Sequence, residues 1–171
     1  KKNPLNPHYI PSDLIEPDIT FYAPGNDPRR LLQREAAIAA EELFKRAQKE
    51  EIHLWGISGY RSYKRQEELF SSANGRPGVA PPGCSEHQTG LALDISCPDE
   101  NYELEESFAK TKEGCWLARH CALFGFILRY PKNKEEITGF PFEPWHIRYT
   151  GIGLASSLTL TGMTLEEYYE R

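Results

Sequence analysis

Ser85-Glu-His87-Gln-Thr-Gly90-Leu-Ala-Leu-Asp94 and, well downstream, Glu143-Pro-Trp-His146 are the stretches around which this chain is organised. Between them they hold two imidazoles, an aspartate placed beyond a glycine, and a glutamate just before the second histidine. Neutral imidazole and carboxylate are the usual nitrogen and oxygen ligands of a catalytic zinc, which keeps its fourth position open. His87, Asp94 and His146 supply such a set, and Glu143 is left over as a general base. Thiolates would favour a closed structural site instead, and the sequence has no Cys-x-x-Cys pair.

The local chain geometry supports this grouping. On one straight strand His87 and Asp94 would face opposite sides, because side chains alternate and their spacing is odd. Gly90 permits a turn between them that brings both to one metal. Pro144 excludes a regular helix interior, so Glu143 and His146 sit on an extended or bent segment. The helical His-Glu-x-x-His arrangement of many metalloproteases is thereby ruled out. Taken singly, Glu143 also reads as a surface carboxylate or as a buried ion-pair partner for Arg148.

Outward from these motifs, residues 1–27 are rich in Pro, Asn and Asp and read as an irregular wrap of the same domain, with 28–171 forming its body. Asp27-Pro28 reads as a cap followed by a first helical proline, opening a helix over 28–49. Residues 52–57 read as a short strand. Ser62 can cap a helix over 63–72, with Leu69 and Phe70 on its buried side. The Gly- and Pro-rich segment 73–84 is a loop leading into the first motif, 91–96 a strand and 98–107 an acidic loop. Thr111 caps a helix through about Leu123, stopped by Gly125. Residues 126–130 and 145–149 are strands, and Thr164-Leu-Glu-Glu167 is a capping box for a last short helix. Short strands interleaved with helices predict an α+β fold, a small antiparallel sheet with packed helices.

Composition narrows the function classes. A chain of 171 residues is most simply one domain. Its net charge of −5 argues against a general nucleic-acid binder, which would carry a basic stripe. No apolar run approaches the ~20 residues of a membrane span. The first residue is Lys1, so a leader, anchor or linker is expected upstream of this segment. Cys115 and Cys121 fall on one helix, where six residues rise ~9 Å, and should not bridge each other. If there are two disulfides, Cys84 and Cys97 each pair with a helix cysteine; otherwise all four are buried thiols. His8, His53 and His120 read as surface or packing residues. Trp55, Trp116 and Trp145 read as core, with Trp145 turned away from the metal.

The string Ser58-Gly-Tyr-Arg61-Ser-Tyr with Gln66, followed by the two motifs above, resembles the VanY-type zinc carboxypeptidases. These trim D-alanine from peptidoglycan stem peptides and share the fold of the Hedgehog signalling domain and the D,D-peptidases. The resemblance covers roughly residues 30–151, and Tyr9-Ile-Pro-Ser-Asp-Leu also looks family-like. It implies one zinc ion on His87, Asp94 and His146, with Glu143 as general base and proton shuttle. Arg61 would stabilise the developing oxyanion or hold a substrate carboxylate, its alternative being a structural ion pair. Gln66 and Ser85 would hydrogen-bond the terminal D-alanine. Tyr130 would be a further substrate contact, or else a core residue with its hydroxyl at the surface. The resemblance further implies a monomeric enzyme acting outside the cytoplasm on D,D- or L,D-linked stems. Two other readings are a stem-peptide endopeptidase of the L-alanyl-D-glutamate type and a non-catalytic, metal-containing binding module. Intact Glu143 and Arg61 argue against the module, which needs neither.

Overall fold

A computed structural model describes residues 4–75 and 77–170; the first three residues of the expected wrap lie outside the described residues. Strand β1 (Leu14–Ile15) pairs antiparallel with β2 (Leu32–Gln33) as a small ribbon. Asp27 caps a turn that starts at Pro28, its carboxylate accepting from Arg29 N. That turn is only a single 3-10 turn, Pro28–Arg30. Gln33 N then donates to Gly90 O and Arg34 N to Asp13 O, tertiary bonds that keep the chain extended. Helix α1 (Arg34–Lys49) therefore begins later than Asp27-Pro28 predicts. Its stripe of Ala36, Ala37, Ala40, Leu43, Phe44 and Ala47 is buried, as the spacing requires.

Strand β3 (Trp55–Ser58) leads to α2 (Tyr63–Ser72), and Ser62 Oγ caps α2 by accepting from Arg65 N. The inward residue of α2 is polar: Gln66 is 1% exposed, while Phe70, expected inside, is 40% exposed. Strand β4 (Ala92–Ser96) follows the first motif. The acidic segment after it carries two 3-10 turns, Pro98–Glu100 and Glu106–Lys110. Thr111 caps α3 (Lys112–His120), which tightens into a 3-10 turn, Cys121–Phe124, and ends at Gly125 with φ 83°. Strand β5 (Phe126–Tyr130), the short α4 (Glu135–Thr138) and β6 (Glu143–Tyr149) complete the sheet. Helix α5 (Ile152–Thr161) carries no expectation from sequence, because it has no side-chain cap and is apolar without a clear stripe. It is held by burying Ala155 and Leu158 against Ile127 of β5. Helix α6 (Leu165–Tyr169) opens on the capping box, with both reciprocal bonds formed.

The four-stranded sheet runs β3-β4-β6-β5, every neighbour antiparallel. Leu93 and Ile95 of β4, Phe126 of β5 and Ile147 of β6 pack with Leu43 of α1 and Trp116 and Leu117 of α3 in the main core. Each fully buried Leu, Ile or Phe of that layer stabilises the fold by roughly 1.5–3 kcal/mol. Alternation puts Ala92, Asp94 and Ser96 on the opposite side of β4. All of β4 is buried, so Asp94 is a carboxylate enclosed by protein. The four cysteines are free thiols: Cys97 and Cys121 are buried, Cys84 is half-buried and Cys115 is exposed. Neither the expected staples nor four buried thiols is what forms. Among the described residues no helix is long and apolar enough to cross a membrane.

Candidate active site

His87 stands on a 3-10 turn, Glu86–Thr89, that ends at Gly90 with φ 69°. This is the turn between His87 and Asp94 that Gly90 is expected to permit, and a side chain would not fit there. An added Cβ would meet Leu14 Cδ2 at 2.8 Å and Gln33 N at 3.0 Å. The chain then enters β4, where Asp94 is paired directly with His146 across the β4–β6 ladder. The sheet register thus presents Asp94 to one histidine, and the Gly90 turn presents the other. Glu143 and His146 are also an odd number of positions apart, and a register shift brings both into one cleft. Leu128 faces Ile147 and Tyr130 faces Glu143, so β6 bulges at Pro144 and Trp145.

His87 Nε2 lies 3.1 Å from Asp94 Oδ2, and His146 Nδ1 lies 2.8 Å from Asp94 Oδ1. One ligand atom from each of the three residues falls within 4.8 Å of the others. His87 Nδ1 is 2.6 Å from Gly59 O, an atom that only accepts, so the proton sits on Nδ1 and the Nε2 lone pair faces Asp94. A tetrahedral ion with bonds of about 2.0–2.1 Å needs ligand atoms about 3.3 Å apart, so an ion bound here would draw together three atoms that now lie within 4.8 Å of one another. Burial opposes ionisation of Asp94, yet His87 and His146 hold its carboxyl well below the usual range. Burial pushes the His87 imidazole down, toward the neutral form a metal requires.

Glu143 lies in the same cleft, of about 860 Å³, with Arg61, Ser85 and Tyr130. It is 7% exposed, and burial pushes its carboxyl up to about 7. Among the described residues it forms no ion pair. Arg148, its alternative partner, lies 3.7 Å from Glu86 Oε1 instead. Arg61 is held by its own neighbours: Nη1 donates to Gln66 Oε1 at 2.9 Å and Nη2 to Ser58 Oγ at 3.2 Å. Its Nη2 is also 3.7 Å from Asp94 Oδ2. Gln66 has its other end engaged, Nε2 donating to Ala80 O at 2.7 Å. Ser85, 6% exposed, makes no side-chain cap bond and offers its hydroxyl to the cleft. Tyr130 is 6% exposed, its ring stacked on Phe140 and on His146, and it lines the cleft. Trp145 packs against the main core, as expected. A second cleft, of about 720 Å³, lies between residues 18–20 and α1 and gathers none of these side chains.

Glu86 and Arg129 carry no signal in the sequence that marks them as part of the site, and Ser58, which opens the family-like string, carries none that marks it as a partner of Arg61. Glu86 stands between Ser85 and His87, but its carboxylate goes to Arg129 Nε at 2.7 Å and toward His146. Only the sheet brings those partners to it, so its position in the string carries no sign of them.

Residues 29–152 match the family model described as VanY, D-alanyl-D-alanine carboxypeptidase. The putative carboxypeptidase YodJ of Bacillus subtilis (strain 168) is 43% identical over the whole of this chain, which spans 65% of that relative's length. The LdcB LD-carboxypeptidase structure is 44% identical with a TM-score of 0.93, covering 98% of this chain and 81% of its own. A vancomycin-resistance D,D-pentapeptidase VanY variant in complex with Zn(II) is 31% identical with a TM-score of 0.79, covering 99% of this chain and 95% of its own. With its α+β fold, its His-Asp-His cluster and this extent of likeness, the chain belongs to the VanY D-alanyl-D-alanine carboxypeptidase family.

Proposed function

We propose that the protein is a zinc-dependent carboxypeptidase that removes the C-terminal D-alanine from peptidoglycan stem peptides. The observation that carries this reading is the convergence of His87, Asp94, His146, Glu143 and Arg61 on one cleft. Zinc would be held by His87 Nε2, a carboxylate oxygen of Asp94 and His146 Nδ1. Bound there, it supplies a Lewis acid that polarises the scissile carbonyl and acidifies water. Glu143 takes the proton of the attacking water on its carboxylate and returns it to the departing D-alanine amine. A carboxyl pushed up to about 7 suits both directions of that transfer near neutral pH.

Arg61 brings fixed positive charge to the oxygen that becomes negative, or to the substrate's terminal carboxylate. Its bonds to Gln66 and Ser58 hold the guanidinium before substrate arrives, so little reorganisation remains. Gln66, with both ends of its amide engaged, acts on substrate through Arg61 and makes no direct bond itself. The Ser85 hydroxyl hydrogen-bonds the terminal D-alanine. Tyr130 lines the pocket and packs the His146 ring from one side.

The closer likeness to an LD-carboxypeptidase than to a D,D-pentapeptidase favours a tetrapeptide stem. On this reading the enzyme works outside the cytoplasm, where such stems lie, and it acts as a monomer because one chain supplies the whole cleft. The test is mass spectrometry of products from pentapeptide and tetrapeptide stems incubated in parallel, with Glu143→Ala as control. Loss of one alanine from the tetrapeptide is expected; loss from the pentapeptide alone would make the enzyme D,D-specific. Cleavage of neither, or equal cleavage by Glu143→Ala, would refute the reading.

A further inference from the structure

Glu86 Oε2 lies 3.6 Å from His146 Nε2, the ring nitrogen opposite the one that faces Asp94. Both atoms are buried, and neither has a hydrogen-bond partner. A donor and an acceptor left orphaned this close together are each other's natural partners, because leaving both unmade is costly. A shift of about 0.5 Å closes the gap to an ordinary hydrogen bond. The other oxygen of the same carboxylate is anchored: Oε1 accepts from Arg129 Nε at 2.7 Å and lies 3.7 Å from Arg148 Nη1. Arg129 in turn forks onto Glu166 of α6, with Nη1 2.9 Å from Oε2 and Nη2 2.5 Å from Oε1. Helix α6 is tied down by its capping box and by Lys134, whose Nζ is 2.8 Å from Glu167 Oε1. The family match ends at residue 152, so Glu166 lies beyond it.

We propose that Glu86 is a positioning residue for the metal site: it accepts the Nε2 proton of His146, leaving Nδ1 bare toward the metal, and the Arg129–Glu166 fork fixes it there. This rests on the zinc reading above and adds to it a support that starts in the C-terminal helix. An imidazole has one proton to place when neutral, and an acceptor on one nitrogen decides which nitrogen ligates. Without Glu86, the ring loses that choice, and Arg129 and Arg148 lose the carboxylate they share. At His87 it is Gly59 O that holds Nδ1–H and frees Nε2, while at His146 the metal would take the Nδ1 position that now bonds Asp94 Oδ1. One histidine ligand is oriented by backbone, the other by a carboxylate that the end of the chain secures.

The experiment measures zinc affinity of the full chain by competition with a chromophoric chelator. The parent is compared with Glu86→Ala, Glu86→Gln, Glu166→Ala and the Glu86→Ala/Glu166→Ala double variant, with metal-free melting curves to show each is folded. Glu86→Ala should weaken zinc about 10- to 100-fold, the usual cost of losing such an outer partner. Glu86→Gln retains an acceptor oxygen and should lose less. Glu166→Ala should weaken zinc severalfold in the parent but add nothing in the Glu86→Ala background, the mark of residues acting in series. In the zinc-loaded parent, nitrogen NMR should find the His146 ring proton on Nε2. Unchanged affinity in a folded Glu86→Ala, or the proton on Nδ1, would overturn the proposal. Additive losses in the double variant would overturn the part assigned to α6. Should Glu86→Ala not fold, Glu86→Gln and Glu166→Ala decide the matter by the same affinities. A parent that binds no zinc would instead refute the metal reading itself.

Discussion

Replacing Glu143 by Gln in protein stripped of metal should change the pH dependence of stability, with sign and size set by the geometry of the cleft. The Glu143 carboxyl is 7% exposed, and burial pushes it up from 4.5 to about 7. A carboxyl raised in the folded state binds its proton more tightly there than in the unfolded chain. Its contribution to stability is therefore complete below pH 4.5 and is lost as the pH climbs through 7. Between about pH 5 and pH 8 that loss amounts to about 2–3 kcal/mol, since each tenfold difference in proton affinity between the folded and unfolded chain is worth about 1.4 kcal/mol. Glutamine cannot ionise, so the variant escapes the loss. His146, pushed up to about 9 by Asp94 and Glu86 against the effect of burial, has its own slope, and so does His87. His87 is common to both proteins and cancels in the difference, whereas the Glu143 charge itself helps hold His146 up, so the part of the His146 slope that goes with it adds to the difference in the same direction. The assay is urea unfolding of chelator-treated parent and Glu143→Gln at several pH values across that window. The stability of the variant relative to parent should rise by about 2–3 kcal/mol from the acid to the alkaline end. A difference flat to within about 0.5 kcal/mol would mean that Glu143 titrates as an ordinary exposed carboxyl, and its fitness as a base near neutral pH would fall with it.

Arg61→Lys should keep zinc, because His87, Asp94 and His146 are unchanged and a positive charge stays near Asp94, but lose turnover about 10²- to 10³-fold, since an ammonium cannot reproduce the fork held by Gln66 and Ser58; parallel zinc analysis and steady-state kinetics check this. Gly90→Ala combines a left-handed φ of 69° with a Cβ 3.0 Å from Gln33 N, and should cost roughly 2–3 kcal/mol in chemical denaturation and weaken zinc by displacing His87. In native protein a thiol reagent should label Cys115 first and Cys84 more slowly. Cys97 and Cys121 should react only on unfolding, Cys121 also being pushed up to about 12 by burial; an intact mass lowered by paired hydrogens would show disulfides instead.

Much of the site is legible before folding because its chemistry depends on residue type and on two local breaks in the chain. His87, Asp94, Glu143 and His146 are named by their chemistry, and Gly90 and Pro144 by what they allow and forbid in the backbone. Caps behave the same way: Ser62, Thr111 and Thr164 each bond the N–H predicted for them, because a cap is settled within one turn. Asp27 also caps as predicted, yet the helix it announces starts only at Arg34, because the partners of Gln33 and Arg34 come from distant segments. The inward face of α2 departs from its apolar pattern for a similar reason: Leu69 and Phe70 are the apolar residues, but the neighbour to be satisfied is Arg61, and Gln66 satisfies it.

The sequence by itself determined the types of the candidate ligands, the turn at Gly90, the extended segment at Pro144 and the bounds of α2 and β5, since each is fixed within a few residues. The tertiary structure alone decided which atoms face each other. The β4–β6 register sets Asp94 against His146, the bulge in β6 turns Glu143 into the same cleft, and the folding of α6 against the end of β5 brings Glu166 to Arg129 and so secures Glu86. Those pairings join residues far apart in the chain, and their energies exist only once the sheet has closed around them.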